Sequence, residues 1–183
     1  MTMKILTLSG SLRRASINSA LLRATALVAP VGMEIFPYPD LGMLPLFNPD
    51  LEPELPAPVA HLKQQIDAAD ALMIASPEYA HGVTGVMKNA LDWLVGTESF
   101  VNKPVVLLNA SPRAHHAHDA LLETLRMMSA HIIEDACQTL PVMGSGLDAA
   151  GIAADEKLRF QLLDILRIMQ AEVTAQSMGM ASI

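Results

Sequence analysis

The 183-residue chain has little of what would set it outside the ordinary globular class. It has one cysteine, Cys137, so the chain alone can close no disulfide and complete no thiolate metal site; a reducing, cytoplasmic setting is the expectation. Basic residues are few, with 12 Lys and Arg against 19 Asp and Glu, a formal charge of −7. That argues against nucleic acid as a partner, which calls for a basic patch. It also means that an anionic ligand must be held by local groups against the overall field. No apolar run approaches the roughly 18 residues of a membrane span. The brief apolar start Met1-Thr2-Met3-Lys4-Ile5-Leu6 lacks a small-residue cleavage site and reads as a strand, not a signal peptide. With 51% hydrophobic and 17% charged residues, intrinsic disorder is excluded. One domain over residues 1–183, with one substantial core, is expected.

What is present alternates along the chain. Lys4–Leu8, Met33–Phe36, Ala71–Ala75 and Pro104–Leu108 are short apolar runs that read as strands, and Ile132-Ile133 begins a last one. Between them, Asn18–Ala29, Val59–Ala69, Val83–Val95 and Ala117–Ala130 read as helices. Asp155–Ala175 carries Leu158, Leu162, Ile165, Leu166 and Met169 on one face, an amphipathic helix. Seven prolines between Pro37 and Pro58 predict an extended surface connection, since proline fixes φ and removes a donor. Strands alternating with helices predict an α/β fold: a five-stranded, doubly wound parallel sheet in three layers. Ligands of such folds sit beyond the strands' carboxyl ends, which directs attention to the segments after Leu8, Ala75 and Leu108.

The first of these segments, Ser9-Gly10-Ser11-Leu12-Arg13-Arg14-Ala15-Ser16-Ile17-Asn18, is dense in donors and feeds directly into a helix. A helix N-terminus exposes unpaired N–H groups and partial positive charge, so a phosphate can bind there, with Arg13 adding a charge-assisted pair. The plainer possibility is that Ser16 or Asn18 caps the helix and the arginines are merely solvated. The loop contains neither a Walker A pattern nor the Gly-x-Gly-x-x-Gly of a dinucleotide turn.

Gly10-Ser11-Leu12-Arg13, followed by Ser16 and Asn18, resembles the opening motif of the NADPH-dependent FMN reductase family, flavodoxin-like proteins that include quinone, azo-dye and chromate reductases. The second expected segment carries the matching motif, Ser76-Pro77-Glu78-Tyr79, then Gly82, Gly85 and Lys88-Asn89-Ala90-Leu91-Asp92-Trp93. The resemblance implies a bound FMN, with Ser11, Arg13, Ser16, Ile17 and Asn18 around its phosphate. It places Pro77, Glu78 and Tyr79 along the isoalloxazine and Ser111 facing it. It implies NADPH or NADH as hydride donor and quinones, azo or nitro compounds, metal oxyanions or free flavin as acceptors. A homodimer or homotetramer is implied as well. Two departures stand out. Ala80-His81 follows Pro-Glu-Tyr where many relatives have Asn, and the loop Asn109–His116 contains no glycine.

The cofactor carries such chemistry, so no catalytic acid, base or nucleophile is required and none is assigned. The rival from another class is a flavin-binding electron carrier without turnover of its own. His115 and His118 form an i,i+3 pair, but no neighbouring ligand set completes a metal site. Ser11 between strand and helix imitates a hydrolase nucleophile, yet Gly-x-Ser-x-Gly is missing. The Val83–Val95 helix has apolar residues around much of its girth, including Val86 and Trp93. That predicts either a second buried surface or a covering loop.

Overall fold

The computed structural model describes residues 2–180. Its sheet is built from β1 (Met3–Ser9), β2 (Met33–Pro37), β3 (Ala71–Ala75), β6 (Pro104–Leu108) and β7 (His131–Ile132), all parallel, in the order β2-β1-β3-β6-β7. A separate two-stranded hairpin pairs β4 (Glu78–Tyr79) with β5 (Gly82–Val83). The helices are α1 (Ile17–Val28), α2 (Ala57–Ala68), α3 (Gly85–Leu94), α4 (His115–Met127), α5 (Ala149–Ala154) and α6 (Glu156–Met180).

Strand residues alternate between two cores, as a sheet covered on both faces requires. Ile5, Met73 and Val106 pack with α1 and α6. Leu6, Leu8, Leu72, Ile74 and Leu107 pack with α2 and α3. The amphipathic stripe of α6 buries Leu158, Leu162, Ile165, Leu166 and Met169 as its spacing predicts. The order is that of a doubly wound sheet whose chain reverses direction between β1 and β3, the position at which such folds bind ligands.

Three elements differ from their expectation. Val83 belongs to β5, and the helix starts only at Gly85, because Thr84 serves as its N-cap and accepts from Met87 N–H at 3.4 Å. The proline-rich segment is not simply extended. It holds 3-10 turns at Leu41–Met43 and Pro49–Glu54 and buries Tyr38, Leu41 and Leu44. Helix α5, unforeseen, is started by Asp148, whose carboxylate accepts from Gly151 N–H at 2.8 Å.

The proline-rich segment also covers the broad apolar face of α3. Asn89 accepts from Phe47 N–H at 2.8 Å and donates to Pro45 C=O at 2.9 Å; Trp93 Nε1 donates to the same carbonyl at 2.8 Å. Phe47 meets Trp93 edge-on, and Trp93 is 1% exposed. The chain's own loop therefore accounts for the apolar surface at Trp93 without a second subunit. Lys88, by contrast, pairs with Asp92 along the exposed side of the helix. Asn89→Ala removes two hydrogen bonds and leaves the Phe47 amide without a partner, while Pro45 C=O keeps Trp93 Nε1, so it is expected to cost about 1–3 kcal/mol. Lys88→Ala is expected to cost under about 0.5 kcal/mol. Urea denaturation of the two variants checks the contrast; equal losses would contradict the anchoring role.

Candidate functional site

Two loops meet where the sheet changes direction. At the end of β1, Gly10 N–H donates to Ala75 C=O at 2.9 Å, and a Cβ on Gly10 would lie 2.1 Å from Ser76 Oγ. Only glycine permits this approach, which brings the loops after β1 and β3 against each other. From there the chain turns through Ser11, whose hydroxyl accepts from Arg13 N–H at 3.4 Å, to Ser16. Ser16 caps α1, its hydroxyl accepting from Ser19 N–H at 3.2 Å. The hydroxyl hydrogen of Ser16 stays free to donate. The backbone N–H groups of Arg14, Ala15, Ile17 and Asn18 find no acceptor among the described residues, and Arg13 and Arg14 have no acidic partner there. Unpaired amides, a helix N-terminus and a cation make an anion cradle.

Asn18 points the way onward. It is 3% exposed, yet its side-chain amide has no protein partner, and it borders a cavity of about 240 Å³ with Pro77, Glu78, Tyr79 and Ser111. A second cavity, of about 440 Å³, is bordered by Arg13, Ser16 and Ile17 on one side and Val142, Gly144 and Gly146 on the other. Eight of the nine residues singled out in the sequence thus border these two neighbouring spaces, which share the first turn of α1. Ser11 lies on the same loop but borders a different cavity, toward β2.

The Pro-Glu-Tyr segment is a hairpin arm. Ala80 and His81 form its two-residue tip with φ of 49° and 60°, a turn of the mirror-image class in which Asn-Gly is the easy choice. Holding alanine and histidine there stores strain beside the cavity. Tyr79 is 60% exposed at its rim. Glu78 turns away to α4, where the N-cap position is Ala114 and offers no side-chain acceptor; Glu78 Oε2 takes Ala117 N–H at 2.9 Å. That hydrogen bond holds the Glu78 carboxyl below the usual glutamate range against the opposing effect of burial, with His116, His81 and His115 assisting. His81 stacks on His116, whose ring lies tilted against His115, so the hairpin tip is pinned to the first turn of α4.

The glycine-free loop after β6 is shaped by Asn109. Its Oδ1 accepts from Ser111 N–H at 3.0 Å and its Nδ2 donates to Ala114 C=O at 3.1 Å. Gly144 and Gly146, both at positive φ, border the larger cavity from later in the chain. Arg113 and Met143 also border the Asn18 cavity and were not anticipated. The Met143-Gly144-Ser145-Gly146 run was the available signal for that wall.

The family model described as NADPH-dependent FMN reductase matches residues 3–142. A relative from Pseudomonas aeruginosa, named NAD(P)H-dependent FMN reductase, is 35% identical over 173 residues, covering 91% of this chain and 93% of its own. A quinone reductase of Escherichia coli is 37% identical over 113 residues, 60% of each chain. Among solved structures, the Paracoccus denitrificans flavoenzyme NAD(P)H:(acceptor) oxidoreductase superposes with a TM-score of 0.76 at 25% identity, over 92% of this chain and 96% of that one. The chain belongs to the NADPH-dependent FMN reductase family.

The Glu78 carboxylate has its pKa depressed by folding, so the stability it lends is present above the ordinary glutamate range and fades as pH falls through and below it. Glu78→Gln is therefore expected to lower stability at pH 7 and to flatten the loss of stability on acidification below about pH 4.5. Thermal melts between pH 7 and pH 3 read this. An unchanged acid limb would exclude the capping role.

Proposed function

We propose that the chain is an FMN-dependent NAD(P)H oxidoreductase whose flavin lies along the two cavities that share the start of α1. The observation that carries this is Asn18: a buried, unpartnered amide set between a cradle of free backbone N–H groups and the space beneath the Pro77 and Ser111 loops. The donor set fits a phosphomonoester joined to a polar ring system, in a protein whose net charge would otherwise repel it.

In this reading Ser11, Ser16 and the amides of Ile17 and Asn18 would donate to phosphate oxygens, and Arg13 would neutralise the dianion. Asn18 would meet the ribityl chain, and the backbone around Pro77, Glu78 and Tyr79, with Ser111 opposite, would border the ring system. FMN, when bound, supplies the capacity to take a hydride from reduced nicotinamide and deliver the electron pair to an acceptor. The protein's part is to fix the ring and leave one side reachable. Glu78 is engaged at the helix cap, which suits a chain that contributes no proton-transfer group of its own. The overall reaction proposed is NAD(P)H plus a proton plus a quinone giving NAD(P)⁺ and hydroquinone. Azo and nitro compounds, metal oxyanions and free flavin belong to the same acceptor proposal, with the two substrates using one site in turn. The relatives named quinone reductase and 2-hydroxy-1,4-benzoquinone reductase favour quinones among these. Assembly as a homodimer or homotetramer is part of the proposal, and the exposed Leu46, Leu51 and Val95 offer apolar surface for it.

Purified protein reconstituted with FMN is expected to be yellow, to bleach on addition of NADPH and to recover its colour with benzoquinone. Initial rates should give parallel double-reciprocal lines. Bleaching without sustained turnover would favour an electron carrier, and failure to take up FMN would overturn the reading.

A further inference from the structure

The cavity that Ser11 borders lies toward the β2 edge of the sheet, between β1, α1 and the segment after β2, and has a volume of about 230 Å³. Of its lining residues, only Ser11, at its mouth on the loop after β1, has a flavin role above. Its polar wall is unusual. Thr7 sits in the middle of β1 between Leu6 and Leu8, is 3% exposed, and its hydroxyl has no protein partner. Valine would fill that strand position with the same shape and no unmet donor, so the hydroxyl is unexplained by folding alone. Ser9 and Ser19, also at the cavity, share one hydrogen bond at 2.7 Å, and Ser11 accepts one from Arg13 N–H, whereas the Thr7 hydroxyl has none.

The other polar group is Arg23. It stands exposed on α1, which contains no acidic residue, at the rim shared with the 440 Å³ cavity, and has no carboxylate partner among the described residues. The remaining walls are apolar and partly flat: Leu22, Ile35, Pro37 and the ring of Tyr38. The Tyr38 hydroxyl is engaged elsewhere, donating to Pro58 C=O at 3.3 Å and lying 3.4 Å from His61 Nδ1. A guanidinium, an unmet hydroxyl and flat apolar walls around this volume suit a small ring bearing a carboxylate and a second polar substituent. Packed at protein density, the space takes about a dozen heavy atoms.

We infer that this cavity is a binding site for a small hydroxyaryl carboxylate, adjoining the flavin site along α1, with Arg23 pairing the carboxylate and Thr7 meeting the ring hydroxyl. It does not depend on the flavin reading. The acidic balance of the chain leaves Arg23 as the local attraction for the anion, and bidentate guanidinium–carboxylate pairing gives the selectivity.

Calorimetric titration of the FMN-reconstituted protein with 4-hydroxybenzoate tests this. One-to-one binding with a dissociation constant below about 1 mM is expected. Binding should be about tenfold weaker for Arg23→Gln and for the neutral probe 4-hydroxybenzamide on the unaltered protein. Thr7→Val should weaken binding severalfold, with an unchanged or higher melting temperature and unchanged NADPH oxidation. Amide resonances of β1, of Ile35 in β2 and of Tyr38 just past its end should shift on titration. Absence of saturation at 10 mM, equal affinity in all variants, or competition with FMN would each overturn the assignment, the last placing the acid in the phosphate cradle instead.

Discussion

The contact on which the site depends is the approach of Gly10 to Ser76. With no side chain on Gly10, the turn after β1 lies directly against the turn after β3, and Thr84, the cap of α3, closes in behind it. Any larger residue would push these turns apart and separate the amide cradle at the start of α1 from the Pro-Glu-Tyr hairpin. The parallel sheet sets up the meeting, since β1 and β3 are neighbours whose carboxyl ends lie side by side. The glycine lets the loops complete it.

Around that contact, the protein spends its side-chain hydrogen bonds on holding loops rather than on groups aimed at a reacting atom. Glu78 caps α4 from a distant hairpin, Asn109 shapes the loop after β6, and Asn89 with Trp93 ties the proline-rich segment to α3. Asn18 and the amides of the first turn of α1, which make no hydrogen bond to the described residues, face the cavities. Satisfied scaffolds around unsatisfied centres are what a cofactor-binding protein needs, because the cofactor completes the hydrogen bonding.

The parallel sheet was legible because β1, β3 and β6 are continuous apolar runs bounded by turn residues, a pattern that suits a strand covered on both faces; the strand order came from the structure. The donor-rich start of α1 was legible because its donors are consecutive in sequence. The hairpin was not, since two-residue strands carry no periodicity, and its turn uses Ala80-His81 where Asn-Gly would have signalled it. The wall formed by Met143, Gly144 and Gly146 was missed because it comes to the site from the far side of β7. The covering of Trp93 by Phe47 was likewise invisible, as proline-rich loops reveal where they cannot fold regularly but not what they lie upon.

The claim that matters most is that the start of α1 binds a phosphate dianion and that this holds the flavin. Comparing the affinities of the apoprotein for FMN and for riboflavin, which differ only in that phosphate, tests it without reference to turnover. The account predicts that riboflavin binds at least about a hundredfold more weakly, as the loss of two charge-assisted hydrogen bonds would require. Equal affinities would show that the ring alone is recognised and that the cradle is only a helix cap.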